Sequence, residues 1–394
     1  TIYSRRSELR AVLGLDINGI TDPLQGFGVD EETVAAYASA NFETDVFGMP
    51  GRGIVGVRVV DTDQRAEGNE VMVDGELRDV SESQRYTEVL PSLSLVLSPT
   101  DKLQVRLGAA KIMRRPSFGD LSPTVRFPLN TGQAVLVGDP TLQPTTASQF
   151  DLSVEYYPRE GSVVSLGIYH KDLDSVIGRQ TIFSGICNPR AVDANAGNPD
   201  LALPTCTVGG EDGVLVNRIS PINLPGGEIE GIELAFQHYF RSLPKPFNGL
   251  GIIANYAYQN GTRDQVFNTP AALDEQGEQR SLPLNFVRLS ENSYNFTAFY
   301  EKPKWSARLR YTYRDVFLVS ESTDISNGFP LYSDSRGQLN ASGSYNINKR
   351  LAITLSGVNL LKDRTVQPGV FPGGPIARMM DSDRRVSLGF RVKL

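Results

Sequence analysis

"GDPTLQPTTASQFDLSVEYYP" occupies residues 138–158. Its first half is a polar loop punctuated by Pro140 and Pro144. Its second half alternates strictly, with Phe150, Leu152, Val154 and Tyr156 on one side and Gln149, Asp151, Ser153 and Glu155 on the other. Period-two alternation marks a β-strand whose two faces meet different surroundings. A soluble sheet with one face on a core alternates in the same way. Recurrence of the pattern, and the lengths of the connections, separate the two cases.

The pattern recurs along the whole chain. In "WSARLRYTYR" (305–314), Trp305, Ala307, Leu309, Tyr311 and Tyr313 oppose Ser306, Arg308, Arg310, Thr312 and Arg314. Near the end, Val386, Leu388, Phe390, Val392 and Leu394 oppose Arg385, Ser387, Arg391 and Lys393. About 13 such strands are expected, near 32–44, 52–63, 86–98, 102–113, 148–158, 162–175, 228–240, 249–261, 290–300, 304–316, 337–347, 350–361 and 383–394. Most reach the roughly 9–11 residues that a tilted strand needs to cross a bilayer. Short connections ("SPTD" at 98–101, "PREG" at 158–161, "EKPK" at 301–304, "NINK" at 346–349) alternate with long ones at 64–85, 114–147, 176–227, 262–289, 317–336 and 362–382. Short turns on one side and long loops on the other are the arrangement of a membrane-spanning barrel. A soluble sandwich has no reason to segregate them.

Composition fits this reading. The chain has 394 residues, 21% of them charged, a formal net charge of −6 and only two histidines. Mean hydropathy is −0.23, and no apolar run approaches the 18 or so residues of a spanning helix. Without clustered Lys and Arg, nucleic acid is a poor partner. No Ser-His-Asp constellation, P-loop or metal motif is present, so neither an enzyme nor a cofactor or metal site is expected. The carboxylates of 61–88 lack the ligand spacing of a dedicated calcium site and read as a solvated loop.

The faces assign candidate roles. Arg58, Arg106, Asp151, Glu155, Glu233, Arg308, Arg310 and Arg314 fall on polar faces and are expected to line a water-filled lumen, with Arg308, Arg310 and Arg314 as a positive ladder and the acids as complementary charge. Tyr156, Tyr157, Tyr239, Phe240, Tyr300, Trp305 and Tyr345 lie beside short turns, where an aromatic girdle belongs. Phe127, Phe183, Phe267, Phe329 and Tyr332 lie in long loops and are candidates for ligand contact, with packing of the loops themselves as the alternative. Cys187 and Cys206 bracket a loop with no histidine nearby. A disulfide stapling it suits an oxidising compartment, and two free thiols are the other reading.

The loop motifs add a resemblance. "KIMRRPSFGDLSP" (111–123) followed by "GDPTLQPTTASQFDLSVEYYP" looks like the paired signature of TonB-dependent outer-membrane receptors. "SLGIYHKDLDSVIGRQ" (165–180), "GEIEGIELAFQHYF" (227–240) and "LSGVNLLKDRT" (355–365) match that pattern in order. The wording "ETVAAYASANFET" and "RGIVGVRVVDTDQ" is similar to a Caulobacter-like and Xanthomonas-like subgroup. The resemblance implies an antiparallel transmembrane β-barrel in a Gram-negative outer membrane. Family barrels have roughly 22 strands around a plug. Residues 1–394 would therefore be a barrel portion with short periplasmic turns, long extracellular loops and no plug domain, and the lack of a signal peptide in the first 20 residues fits a piece of a longer protein. The resemblance further implies active import of a scarce nutrient (siderophore, vitamin or oligosaccharide) powered by the TonB complex acting through the plug. The implied partners are outer-membrane lipid, the remaining N-terminal strands and plug, and the substrate. A passive porin-like channel and a soluble secreted glycan-binding β-protein are the rival readings. Phe390 and Leu394 stand where family barrels carry a terminal aromatic signal for assembly.

Overall fold

The computed structural model describes residues 26–71, 77–125, 135–188, 204–208, 211–266, 281–321 and 330–392. One antiparallel path of strands runs through it in chain order. Its members are β1 (Gly28–Val46), β2 (Met49–Val71), β3 (Leu77–Thr100), β4 (Leu103–Arg114), β5 (Thr145–Tyr156), β6 (Val163–Asn188) and β7 (Glu211–Tyr239), then β8 (Leu250–Val266), β9 (Asn292–Glu301), β10 (Trp305–Arg314), β11 (Arg336–Asn346), β12 (Leu351–Val358) and β13 (Arg385–Val392). Each pairs with its sequence neighbours, and the expected strands map one to one onto this path. Among the described residues there is no α-helix, and β1 and β13 each have one partner.

The short connections are tight because the strands are in direct hairpin register. Val46 opposes Met49, and the two residues between them, Phe47 and Gly48, take φ of 55° and 79°. That is the left-handed geometry of a two-residue hairpin turn, which matches the strand twist. The Gly48 N–H donates to Asp45 Oδ1 (2.7 Å).

Several long connections are not loops throughout. β2 and β3 stay paired out to Val71–Leu77, so most of 64–85 is strand. β6 continues to Asn188 and β7 begins at Glu211, which places 176–188 and 211–227 in a second long hairpin. β8 extends to Val266, opposite Ser281–Asn285. The apolar–polar contrast of the wall is lost in these extensions, where buried positions are as often polar (Gln64, Ser220, Arg263) as apolar (Ala66, Val214, Val216).

The register sorts every side chain of the wall onto one of two faces. One face is apolar: Val55, Leu93, Ala109, Phe150 and His170 stand in one row, and Val57, Leu95, Leu107, Leu152, Ile168, Ile232 and Tyr258 stand in neighbouring rows. Its large side chains are exposed, Phe150 at 57%, Phe236 at 40% and Phe390 at 68%. No layer of the described residues covers them. A soluble β-protein would have to bury this belt against a second sheet.

Aromatics border the belt at both ends. At the short-turn end stand Tyr156, Phe240, Tyr300 and the Trp305–Tyr345 ring pair (centroids 4.9 Å apart). Two of the seven expected girdle residues do not belong there. Tyr157 donates to Glu155 Oε2 (2.6 Å), and Tyr239 packs edge-on against Phe299 (4.9 Å), both on the polar face. One step along a strand reverses the face. A second group, Tyr256, Tyr258, Tyr294, Tyr311 and Tyr313, borders the far end of the belt, with Tyr294 stacked on Tyr313 (4.8 Å). From Trp305 to Tyr313 at about 3.3 Å per residue and a tilt near 40°, the belt is about 20 Å tall.

The disulfide is present: Cys187, at the end of β6, is bonded to Cys206 in the strand Thr205–Val208, which pairs with β7. Its sequence separation is 19, which corresponds to about 3 kcal/mol in the chain-entropy account. Replacing both cysteines by serine is expected to accelerate amide exchange in 205–208 and 211–216 by about 100-fold, with β8 to β12 unchanged. Unchanged exchange at 205–208 would show that strand pairing alone holds this end.

Candidate functional site

The long-loop end of the wall is folded rather than loose. Val125, Val135, Val137, Val214 and Val216 form a small hydrophobic core there, with Ile186 packed against it. The opening motif lies beside this core. Asp139 Oδ1 accepts from the Thr141 N–H (2.8 Å) and the Thr141 hydroxyl (2.6 Å), the Asx-turn geometry that makes Asp a turn residue. The Asp139 N–H donates to Asp120 O (2.7 Å), which joins the motif to the turn Phe118–Leu121. Gly138 is required at this crossing, because a Cβ would lie 2.5 Å from Ser122 O and 2.7 Å from Asp120 O. Leu142 is buried to 1% exposure. Gln64 Nε2 on β2 donates to Pro140 O (3.2 Å). The Gln143 N–H donates to Asn223 Oδ1 (2.9 Å), and Asn223 Nδ2 returns a bond to Gln143 O (3.0 Å). The polar half of the motif is thus a knot between β2 and the extension of β7.

A second layer covers the long-loop ends of β8 to β12. Phe317–Ser320 pairs with Leu331–Ser333, Thr365–Pro368 pairs with Ile376–Met380, and Leu331 bridges to Gly369. Leu318 and Leu331 are buried inside it. Beneath it Arg263 forms an ion pair with Glu321, the two side chains 6% and 17% exposed. The Arg263 Nη1 has no further partner, and burial pulls its guanidinium below the ordinary arginine range. Arg314 Nε donates to Ser290 Oγ (2.7 Å), and its guanidinium lies over the Phe317 ring (3.8 Å to the centroid). Tyr332, one of the loop candidates, is half-buried in this layer, and burial raises its phenol pKa. Phe127, Phe267 and Phe329 lie outside the described residues, as does Leu394. Phe183 lies in the part of β6 where side chains are not described. Neither Arg263 nor Glu321 stood out in the sequence, since nothing local marks two residues that far apart as a pair.

The eight charged candidates all stand on the polar face by register. Arg58 opposes Leu90, Asp151 opposes Gly108, and Glu233 opposes Gly167. Among the described residues, the acids and the ladder of Arg308, Arg310 and Arg314 have separate partners. Glu155 is held on its own side of the wall by Arg106 Nε (3.0 Å). Arg308 pairs with Glu301 (3.2 Å), and Arg310 donates to Asn295 Oδ1 (3.2 Å). The ladder on β10 and the acids on β5 and β7 are separate patches, with β8 and β9 between them. Phe390 sits on the apolar face opposite Ile353.

An antiparallel wall with an exposed apolar belt between two aromatic girdles, a charged opposite face and its folded connections at one end is the wall of a transmembrane β-barrel. The chain belongs to the TonB dependent receptor-like β-barrel family, which it matches over residues 3–360. This is a family of transport receptors of the Gram-negative outer membrane. No curated protein matches in sequence. Among solved structures, the fold is similar to that of the ferric enterobactin receptor PfeA from Pseudomonas aeruginosa, with 14% identity, 92% of this chain, 54% of that one and a TM-score of 0.53. It is similar to the siderophore receptor PirA from Acinetobacter baumannii, with 14% identity, 92% and 55% coverage and a TM-score of 0.53. It is also similar to the ferric-catecholate import receptor Fiu from E. coli K12, with 12% identity, 92% and 45% coverage and a TM-score of 0.57. The chain spans about half the length of these structures.

Proposed function

We propose that this chain is part of the wall of a TonB-dependent importer of the outer membrane, with the apolar belt in lipid and the polar face lining a lumen that holds a plug. The observation that carries this reading is the sorting of side chains by register. It turns thirteen strands into a partition between two solvents, with Arg58, Arg106, Asp151, Glu155, Glu233, Arg308, Arg310 and Arg314 on the wet side. The short turns then face the periplasm and the folded layer faces outward, where a substrate is first met. The remaining strands pair with β1 and β13, and the plug couples the barrel to TonB. The substrate is a scarce nutrient such as a siderophore, vitamin or oligosaccharide. A ferric siderophore is tested first, because PfeA, PirA and Fiu are named for that class.

The test is uptake of labelled ferric siderophore, vitamin and oligosaccharide by cells carrying or lacking the receptor, each with and without functional TonB. Uptake of one class that needs both is the expected result. Uptake that needs the receptor but continues without TonB would replace this reading with a passive channel.

A further inference from the structure

On the apolar face, β9 to β12 depart from the bulky residues that cover the rest of the belt. Tyr300 opposes Ala307, Ala307 opposes Gly343, Leu309 opposes Ala341, and Ala341 opposes Gly357. The short side chains form the floor of a hollow of about 580 Å³, walled by Tyr300, Leu309, Leu355 and Val386. Its two rows lie two and four residues beyond the Trp305–Tyr345 pair, about 5 and 10 Å deeper at a tilt near 40°. A bilayer leaflet has about 15 Å of hydrocarbon, so the hollow lies at the depth of an acyl chain in the short-turn leaflet.

The turns directly below it carry unbalanced positive charge. Residues 302–304 and 347–350 contain Lys302, Lys304, Lys349 and Arg350 and no acid. Lys304, Lys349 and Arg350 are exposed. The two turns are bound side by side: the Asn346 N–H donates to Lys304 O (2.9 Å), and Asn346 Nδ2 donates to Pro303 O (2.8 Å). Glu301, at the end of β9, is already engaged by Arg308. The turns with Asp101–Lys102 and Arg159–Glu160 balance their charges; the connection 240–249 also carries two cations, Arg241 and Lys245, but Arg241 is engaged by Glu160 (3.4 Å). In a chain of net charge −6, a cationic stretch of rim beneath an apolar hollow matches one amphiphile, with an anionic head below and an acyl chain above.

We propose that β9 to β12 hold an anionic phospholipid of the periplasmic leaflet, its acyl chain in the Ala307–Gly343–Ala341 hollow and its phosphate at Lys304, Lys349 and Arg350. This rests on the membrane orientation proposed above. Cations at a membrane surface attract anionic lipid. The hollow adds a fixed seat, which distinguishes this stretch from a merely basic rim.

The experiment is native mass spectrometry of the complete receptor in mild detergent, titrated with phosphatidylglycerol or phosphatidylethanolamine. The expected result is one phosphatidylglycerol retained per receptor, with retention falling at least about fivefold in the triple variant Lys304→Gln, Lys349→Gln, Arg350→Gln and comparably in Ala307→Leu. Gly343→Ala is the milder filling variant, in case Ala307→Leu fails to assemble. Heat-modifiable migration on a gel reports assembly independently. A receptor that migrates as a barrel but retains both lipids equally, or retains phosphatidylglycerol unchanged in the variants, overturns the lipid site and leaves the barrel reading standing. A receptor without heat-modifiable migration overturns the barrel reading itself. A second copy seated on this face, seen as a dimer mass lost in Ala307→Leu, also overturns the lipid site.

Discussion

Glu321→Ala is expected to loosen the layer that covers the long-loop ends of β8 to β12 by about 3–5 kcal/mol, the cost of leaving one member of a buried ion pair without its partner. Arg263 cannot escape the loss, since its side chain is 6% exposed and Nη1 is already unpartnered. Burial has also pulled its pKa down, so the charge is held where water solvates it poorly. Glu321 follows the strand Phe317–Ser320, whose buried Leu318 accepts the Arg288 N–H on its carbonyl oxygen (2.7 Å). The defect therefore spreads to 286–291 and 330–335. Hydrogen exchange of these amides should accelerate at least about 100-fold, while β4 to β6 keep wild-type protection. The double variant Arg263→Met, Glu321→Leu removes both charges and should recover most of the protection, because an apolar pair of similar volume is often neutral or better. Exchange within twofold of wild type in Glu321→Ala would show that the layer is held by Leu318 and Leu331 without the ion pair.

The parts of this molecule that were readable from sequence are those where a residue's surroundings follow from its own strand. Trp305 to Arg314 meets lipid-like and water-like surroundings on alternate residues, so the segment displays its faces, its length and its role. The segment "DTDQRAEGNE" (61–70) is strand as well, but its buried face consists of Thr62, Gln64 and Ala66. A buried face of polar and small residues offers no apolar contrast, so sequence alone reads it as a loop. Tyr157 and Tyr239 show the same limit at one-residue scale. Their place beside short turns was correct, yet facing depends on register, which pairing with Glu155 and Phe299 reveals and position alone does not. The folded layer was hidden for another reason. Leu318, Leu331, Arg263 and Glu321 are buried by segments distant in sequence, and no local period marks such a meeting. The charged candidates were identified by face, but their partners, Arg106 for Glu155 and Glu301 for Arg308, come from adjacent strands that only the register brings alongside.

The second large effect concerns the loop half of the opening motif. Leu142→Ala empties a site that is 1% exposed, and large-to-small substitutions of buried leucine cost about 2–5 kcal/mol. The loss should appear as release of the knot. Gln64 on β2 and Asn223 on β7 both bond to backbone atoms that flank Leu142, so protection should fall together at 139–143 and 221–224. Gly138→Ala reaches the same state from the opposite direction. Its methyl would meet Ser122 O, Ser122 N and Asp120 O at 2.5–2.7 Å, and backbone atoms cannot rotate away as a side chain can. Such overpacking costs about 1–3 kcal/mol. Both variants should still migrate as heat-modifiable barrels, because Phe150, Leu152, Val154 and Tyr156 keep their partners on β4 and β6. Loss of heat-modifiability in either variant would mean that the knot guides assembly of the strand that follows it. Retention, with exchange raised only in the knot, would mean that the two halves of residues 138–158 answer to different requirements: one ties β2 to the extension of β7, and the other divides the apolar face from the polar one.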